Sequence, residues 1–360
     1  MKKIIQQAFF QLRNQPLLSV ITVLGTALAI ALIMVILIVY QAKTADYAPE
    51  VNRSRSLYVK WERTVYDKKD PNSAGHSRPS LWLVKEIFYP LTTPEAVTAT
   101  YEGGEVLVGT VGSDEEMNTP LMLTDAAFWK VYQFRFLAGK PFTEADFQSG
   151  MKQAVIAKSV ARRLFGGAEN AIGKDILVNF AAYTVCGVVD DVNRFCEFTW
   201  SEVYAPYTSN AIASEAEAGQ TSGNNVITIL ARSTDDFDAI RNEVARGVAQ
   251  INTTLGDMEL QLMGQPDNFR MQLNRKFANQ YENLNANFWK YGIMILIILL
   301  VPAINLSGLT NTRMRRRLEE LGIRKAFGAT RNELVWQVLN ENLVLTVMGG
   351  LLGLALAYLF

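Results

Sequence analysis

Four groups of residues in this chain have types and spacings that chemistry uses. Gly167-Ala168-Glu169-Asn170-Ala171-Ile172-Gly173-Lys174-Asp175 approximates a loop that cradles phosphates. Two of its parts are wrong. The first glycine of such a loop would fall at Ala168, and Asp175 stands where a Ser or Thr hydroxyl must reach Mg2+. A turn before a strand is expected there. Asp190 and Asp191 are adjacent carboxylates, and paired carboxylates can move protons. Neighbours along a strand face opposite sides, so a solvated turn is the expectation. His76 is the only histidine. It is expected in a polar loop, and its solitude excludes a His-based triad or a multi-histidine metal site. Cys186 and Cys196 are the only cysteines. In an oxidising compartment their ten-residue spacing permits a disulfide, and two buried free thiols fit it equally well.

A fifth group carries more information. Arg317-Leu318-Glu319-Glu320-Leu321-Gly322-Ile323-Arg324-Lys325-Ala326-Phe327-Gly328-Ala329 is a charged, helix-forming segment with a glycine stop. It lies between two long apolar runs. A charged helix held between membrane spans is a handle by which a cytoplasmic protein can move those spans.

The elements that position this handle follow from the charge pattern. The chain has 360 residues and no net charge, yet the charge is unevenly placed. Residues 1–16 carry +3, residues 313–333 carry +4, and residues 41–290 carry −6. Residues 14–42, 291–312 and 342–360 carry none. Each uncharged run is long enough for a helix that crosses a hydrocarbon core, which takes about 20 residues, and helices satisfy their own backbone groups in lipid. Basic loops stay cytoplasmic. The expected topology therefore has a cytoplasmic N-terminus, a first span at 17–40, an extracytoplasmic domain at 41–266, a stalk helix at 267–290, a second span at 291–312, a cytoplasmic loop at 313–333 and a third span at 334–360. A chain that stops at the far end of a span looks incomplete, so a fourth span is expected to be missing from it.

The fold class expected is a membrane protein with α-helical transmembrane spans and a large α+β extracytoplasmic domain inserted between the first and second. Ile5, Ala8, Phe9 and Leu12 give residues 1–16 the pattern of an amphipathic helix on the cytoplasmic membrane surface. Strands are expected at 57–61, 154–157, 176–178, 183–189, 203–205, 226–231 and 258–263, and a strand pair turning at Gly103-Gly104 within 96–111. Helices are expected at 80–88, 123–132 (capped by Thr124 or Asp125), 159–165 and 235–251. Residues 208–224 are Ser/Ala/Gly/Asn-rich and are expected to form a mobile loop between two subdomains. Phe269, Leu273, Phe277, Tyr281, Leu284 and Phe288 fall close to helical spacing, so 267–290 is expected to run unbroken into the second span and transmit rigid motion. Pro302 is expected to kink that span. Gly349, Gly350 and Gly353 contain a Gly-x-x-x-Gly spacing that suits close helix packing in lipid.

The span, basic helix, glycine and span arrangement resembles the FtsX-like permease domain of the MacB/LolC/FtsX class of ABC transporters. The matching residues are Asn311, Arg317, Glu320, Gly322, Ile323, Arg324, Lys325, Ala326, Gly328, Ala329, Glu341, Gly349, Gly350 and Gly353. The run from Phe128 to Phe142, Ala161 to Gly166, Ile172 to Lys174 and Tyr183 to Val189 is similar to that class's MacB-like periplasmic core domain. The resemblance implies a multi-pass permease of the bacterial cytoplasmic (inner) membrane. Implied partners are a cytoplasmic ABC ATPase, a second permease subunit, membrane lipid and a periplasmic adaptor, with no nucleic acid. ATP and Mg would be bound by the partner ATPase, with no cofactor, metal or catalytic residue in this chain, which lacks a fused ATPase domain. Arg317, Glu320, Gly322, Arg324, Lys325 and Gly328 would form the ATPase-coupling segment. The implied function is mechanotransmission, in which ATP hydrolysis moves the ectodomain for export or extraction of a substrate outside the membrane. An FtsX-type relay to a cell-wall hydrolase is the alternative.

Overall fold

The computed structural model describes residues 16–110, 116–211, 218–278, 284–316 and 318–359. Of the expected surface helix at 1–16, residues 1–15 lie outside these residues, and Pro16 opens a longer helix. The chain divides into two units, Lys43–Glu282 and a helical unit of Met1–Ala42 with Asn283–Phe360.

Lys43–Glu282 is built on a large central sheet. Its strands are β1 (Ser56–Val59), β4 (Ala96–Thr110), β5 (Glu116–Thr124), β6 (Phe136–Gly139), β7 (Gln153–Ala157), β8 (Asp175–Val178), β9 (Ala181–Val189), β10 (Val203–Pro206), β12 (Asn225–Leu230) and β14 (Asp267–Asn268). The order is β14-β1-β12-β4-β5-β10-β7-β9-β6, with β8 pairing β4 and β9. Most pairs are antiparallel. The exceptions are β10 with β5 and β7 with β9, and the second needs a crossover. Helix Lys158–Phe165 and helix Ala168–Ala171 supply it.

Alternation along the central strands places apolar side chains on both faces. Leu57, Val59, Ile227, Ile229 and Ile156 belong to one core, with Ile240 and Val244 of helix Phe237–Thr254 packed into it. Tyr58, Val155, Tyr204 and Val226 belong to the other, with Phe128 and Phe269. A second sheet, ordered β11-β3-β2-β13, holds β2 (Glu62–Val65), β3 (Ala74–Pro79), β11 (Ser222–Gly223) and β13 (Glu259–Gln261).

Several expectations are corrected. Gly103-Gly104 is no turn. The strand β4 runs through it, with a register shift against β5 between Glu102 and Gly104. Gly104 takes φ +73°, so the pair is a bulge in one long strand. His76 lies on β3 opposite Arg63 rather than in a loop. Leu123 and Thr124 close β5, and the helix after them is only Phe128–Val131. Asp125 does act at its start, accepting from Phe128 N at 3.0 Å. Residues 81–88 fold as an α-turn Leu81–Leu83 that widens into a π-turn Val84–Phe88. Of the expected loop at 208–224, residues 212–217 lie outside the described residues, and Ser222–Gly223 pair with β3.

The stalk is the largest correction. Helix Phe269–Asn274 stops at Arg275, whose backbone is extended at φ −73°, ψ 108°. Helical spacing alone did not reveal the reason. Arg275 turns back to Asp267, with Nη2 donating to Oδ1 at 2.9 Å, and also reaches the Met263 carbonyl at 3.2 Å. Residues 275–278 are not helical, residues 279–283 lie outside the described residues, and helix is described again from Leu284.

Both cysteines are free thiols in the structure. Cys186 lies on β9 and donates to the Ala154 carbonyl of neighbouring β7. Burial pushes its thiol up to about 12. Cys196 is buried in the loop before β10, and burial raises its thiol as well. Among the acidic neighbours, Asp191 caps Lys158–Phe165 by accepting from Ser159 N at 2.9 Å, and Asp190 faces Lys158 and Arg135. That is the work of a turn. The phosphate-loop look-alike likewise contains the short helix Ala168–Ala171 and the start of β8.

Candidate coupling segment and helix interface

The helical unit contains α1 (Pro16–Thr44), α2 (Leu284–Arg316), α3 (Leu318–Ala326) and α4 (Arg331–Leu359). Two helices, Ser19–Thr44 and Arg331–Leu359, are long and apolar enough to cross a membrane by length and composition. Residues 291–312 of α2 carry no charge.

The charged handle is α3 and the corner behind it. Gly328 N donates to the Lys325 carbonyl and Ala329 N to the Arg324 carbonyl, each at 3.1 Å. With Gly328 at φ +94°, these are the two bonds of a Schellman stop. The next helix opens immediately. Thr330 N donates to Glu333 Oε2 at 2.8 Å, and Glu333 N donates to Thr330 Oγ1 at 3.4 Å. That reciprocal pair is a capping box. A glycine stop and a capping box two residues apart fix the angle of the corner without a flexible linker. Thr330-x-x-Glu333 is visible in the sequence and could have been read as the start of α4.

Large apolar side chains stand open on α3 and at the corner behind it, Ile323 and Phe327 four residues apart and Leu318 on a different side of the helix. Leu318 is 63% exposed, Ile323 59% and Phe327 89%. A Cβ added at Gly322 would meet nothing within 4 Å. A glycine in mid-helix costs about 1 kcal/mol relative to alanine, and among the described residues no neighbour requires it. Arg324 and Lys325 stand in the last turn, where cations suit the helix dipole. Arg317 lies outside the described residues, and Glu320 lies within α3.

The glycines at 349–353 face α1. A Cβ at Gly349 would lie 2.9 Å from the Val23 carbonyl, and one at Gly353 would lie 2.5 Å from the Ala27 carbonyl. One at Gly350 would rest in ordinary contact with Ile30, at 3.4 Å. The two backbones therefore approach closely along small residues. On α1 the buried positions are Ser19, Thr22, Ala27 and Ala31, and on α4 they are Leu345, Gly349, Gly353 and Ala357. Apart from Leu345, most large apolar side chains point the other way. Leu17, Leu24, Leu28, Leu32, Leu339, Leu343 and Leu351 are all exposed. This inverts the pattern of a water-soluble helix.

A model of the MacB-like periplasmic core domain matches residues 19–246, and a model of the FtsX-like permease C-terminal region matches residues 292–360. The chain belongs to the MacB/FtsX-like permease family. Relatives of this permease include the uncharacterized ABC transporter permease YknZ of Bacillus subtilis, 23% identical over 94% of this chain and 81% of that protein. The macrolide export ATP-binding/permease protein MacB of Wolinella succinogenes is 25% identical over 98% of this chain and 52% of that protein. This permease chain thus spans about half the length of the Wolinella relative, whose name joins ATP binding and permease in one protein. A crystal structure of the extracellular domain of the transporter YknZ from Gram-positive bacteria aligns with 57% of this chain and 99% of that one, at 19% identity and a TM-score of 0.41. The two family models and these relatives make the chain an ABC transporter permease of the MacB/FtsX/YknZ family with a periplasmic α+β domain.

Proposed function

We propose that this permease is the mechanical subunit of an ABC transporter. Its α1, α2 and α4 cross the cytoplasmic membrane, with the N-terminus and α3 inside and residues 43–282 outside. A cytoplasmic ABC ATPase that binds ATP and Mg docks on α3, and a second permease subunit completes the assembly. ATP-driven movement of α3 is passed through the spans to the ectodomain, which exports or extracts a substrate on the outer side. The relatives' names support the transporter class, and macrolide export is said of the Wolinella protein alone. An FtsX-type relay to a cell-wall hydrolase would use the same mechanics. The alignment with an export protein along nearly the whole chain favours transport.

The observation that carries the reading is the exposure of α3 and its corner. Ile323 and Phe327, four residues apart, and Leu318 are held in the open, and a Cβ at Gly322 would meet none of the described residues. Exposed apolar side chains with basic residues beside them form a surface suited to a partner's groove. The spans are supported by helix faces that expose leucine and bury glycine, alanine, serine and threonine, as lipid-facing helices do. A double substitution, Glu320→Lys with Arg324→Glu, tests the docking. In proteoliposomes it should abolish stimulation of the partner ATPase while leaving membrane insertion intact. Undiminished stimulation would remove α3 from the coupling role.

A further inference from the structure

Of the ion pairs among the described residues, two have both side chains buried: Glu50–Arg53 and Asp267–Arg275. Both stand where the chain enters or leaves the folded unit Lys43–Glu282. Position alone makes them unusual, because a buried ion pair rarely gains stability over an apolar replacement of similar volume. Their geometry points to a role other than stability.

Arg53 joins three separate segments. Its Nε donates to Glu50 Oε2 at 2.7 Å. Its Nη1 donates to the carbonyls of Ala45 at 2.8 Å and Lys43 at 3.4 Å. Lys43 lies in the last turn of α1, where helix carbonyls lack helical partners and carry the negative end of the dipole. Arg53 Nη2 donates to the Phe195 carbonyl, in the loop before β10, at 3.0 Å. The same guanidinium lies 4.9 Å from the ring of Phe269, the first residue of the helix that leads toward α2. Glu50 holds the other side of that loop. Its Oε1 accepts from Phe198 N at 3.0 Å and Thr199 Oγ1 at 2.9 Å. The loop itself is fastened to the large sheet, where buried Tyr204 of β10 donates to the Thr199 carbonyl at 2.7 Å and Phe198 stacks on Tyr58 of β1 at 4.4 Å. On the far side of Phe269, Arg275 returns to Asp267 of β14, which pairs with β1.

We propose that Glu50 and Arg53 form a clasp that makes the chain entering the unit at Lys43–Ala45, the start of the Phe269–Asn274 helix and the central sheet move as one body, so that Arg53 is a positioning residue for force transmission. This deepens the coupling reading and rests on it. A guanidinium suits the role because its planar fork reaches several acceptors at fixed angles, whereas an ammonium is a single point of charge. It also relocates the mechanical link. The expected stalk helix is interrupted at Arg275, and the clasp supplies a connection that does not depend on helical continuity.

The test uses the full chain with its ATPase in lipid vesicles. Amide hydrogen exchange in β1 and β10 is compared without nucleotide and with a non-hydrolysable ATP analogue, and ATPase stimulation is measured in parallel. Glu50→Leu with Arg53→Met removes the charges and keeps the volume. Arg53→Lys keeps the charge and loses the fork. Both variants should retain ATPase stimulation and lose the nucleotide-dependent change in exchange that the wild type displays. Variants that keep the wild-type change overturn the clasp while leaving the coupling reading intact. A wild type that lacks either stimulation or the exchange change overturns the coupling reading and the clasp with it. Loss of the ectodomain's thermal transition in both variants overturns the positioning role in favour of a purely structural one.

Discussion

Single residues carry much of the mechanism proposed for this permease. Gly322 sets helix stability against docking. Gly322→Ala should strengthen α3 by about 1 kcal/mol, since alanine is the better helix former. The same change puts a methyl group on the exposed surface one turn from Leu318, so ATPase stimulation should fall even as the helix gains. Circular dichroism of the purified protein and ATPase assays in vesicles read the two effects separately. Gly328 differs, because φ +94° is a conformation that side chains resist. Gly328→Ala should cost about 1 kcal/mol or more and loosen the corner between α3 and α4, which thermal melting would detect. In the ectodomain, Glu62 is buried with only hydroxyl partners, Thr64 and Ser77 and Ser222. Burial raises its carboxyl above the ordinary 4.5. A raised acid favours the folded state below that value and loses the advantage as pH rises through the folded value. Glu62→Gln should therefore flatten this part of the stability profile and leave the protein at least as stable at pH 7. Melting curves across pH 4–8 check the sign.

At the scale of elements, the α1 and α4 pair depends on the glycines. A side chain at Gly353 would strike the Ala27 carbonyl, and a backbone atom cannot move aside as a rotamer can. Gly353→Val should cost about 1–3 kcal/mol by overpacking, and Gly350→Ala should be tolerated because its neighbour is the tip of Ile30. Thermal stability of the two variants in detergent should rank accordingly. Elements that announce themselves by local pattern were legible. Strands β7, β9, β10 and β12 read correctly because runs such as Val226-Ile227-Thr228-Ile229 are β-branched and buried on both faces. The helix Lys158–Phe165 read correctly because Gly166 ends it at φ +76°. Errors arose where a distant partner decided the backbone. Arg275 breaks the stalk because Asp267 and Met263 hold it, and spacing along 267–290 carries no trace of that. Gly103-Gly104 has the composition of a turn, and only its pairing with β5 reveals a bulge.

For the whole molecule, the proposed function has the helices with inverted exposure held by lipid and the exposed α3 corner held by a protein on the cytoplasmic side. The handle at Arg317–Ala329 was legible in the sequence because charge, glycine and flanking apolar runs are all local. The clasp at Glu50–Arg53 was not. In one dimension it is two charged residues in a polar linker, and its partners at Phe195, Thr199 and Phe269 come from segments far along the chain. The central claim is that nucleotide binding by a partner ATPase moves the ectodomain through this permease. The most direct measurement is ATP-dependent hydrogen exchange across residues 43–282 in vesicles containing the wild-type complex, repeated with Glu320→Lys and Arg324→Glu together. The account predicts a nucleotide-dependent change in the wild type that vanishes in the variant. An ectodomain whose exchange is the same with and without nucleotide would contradict it.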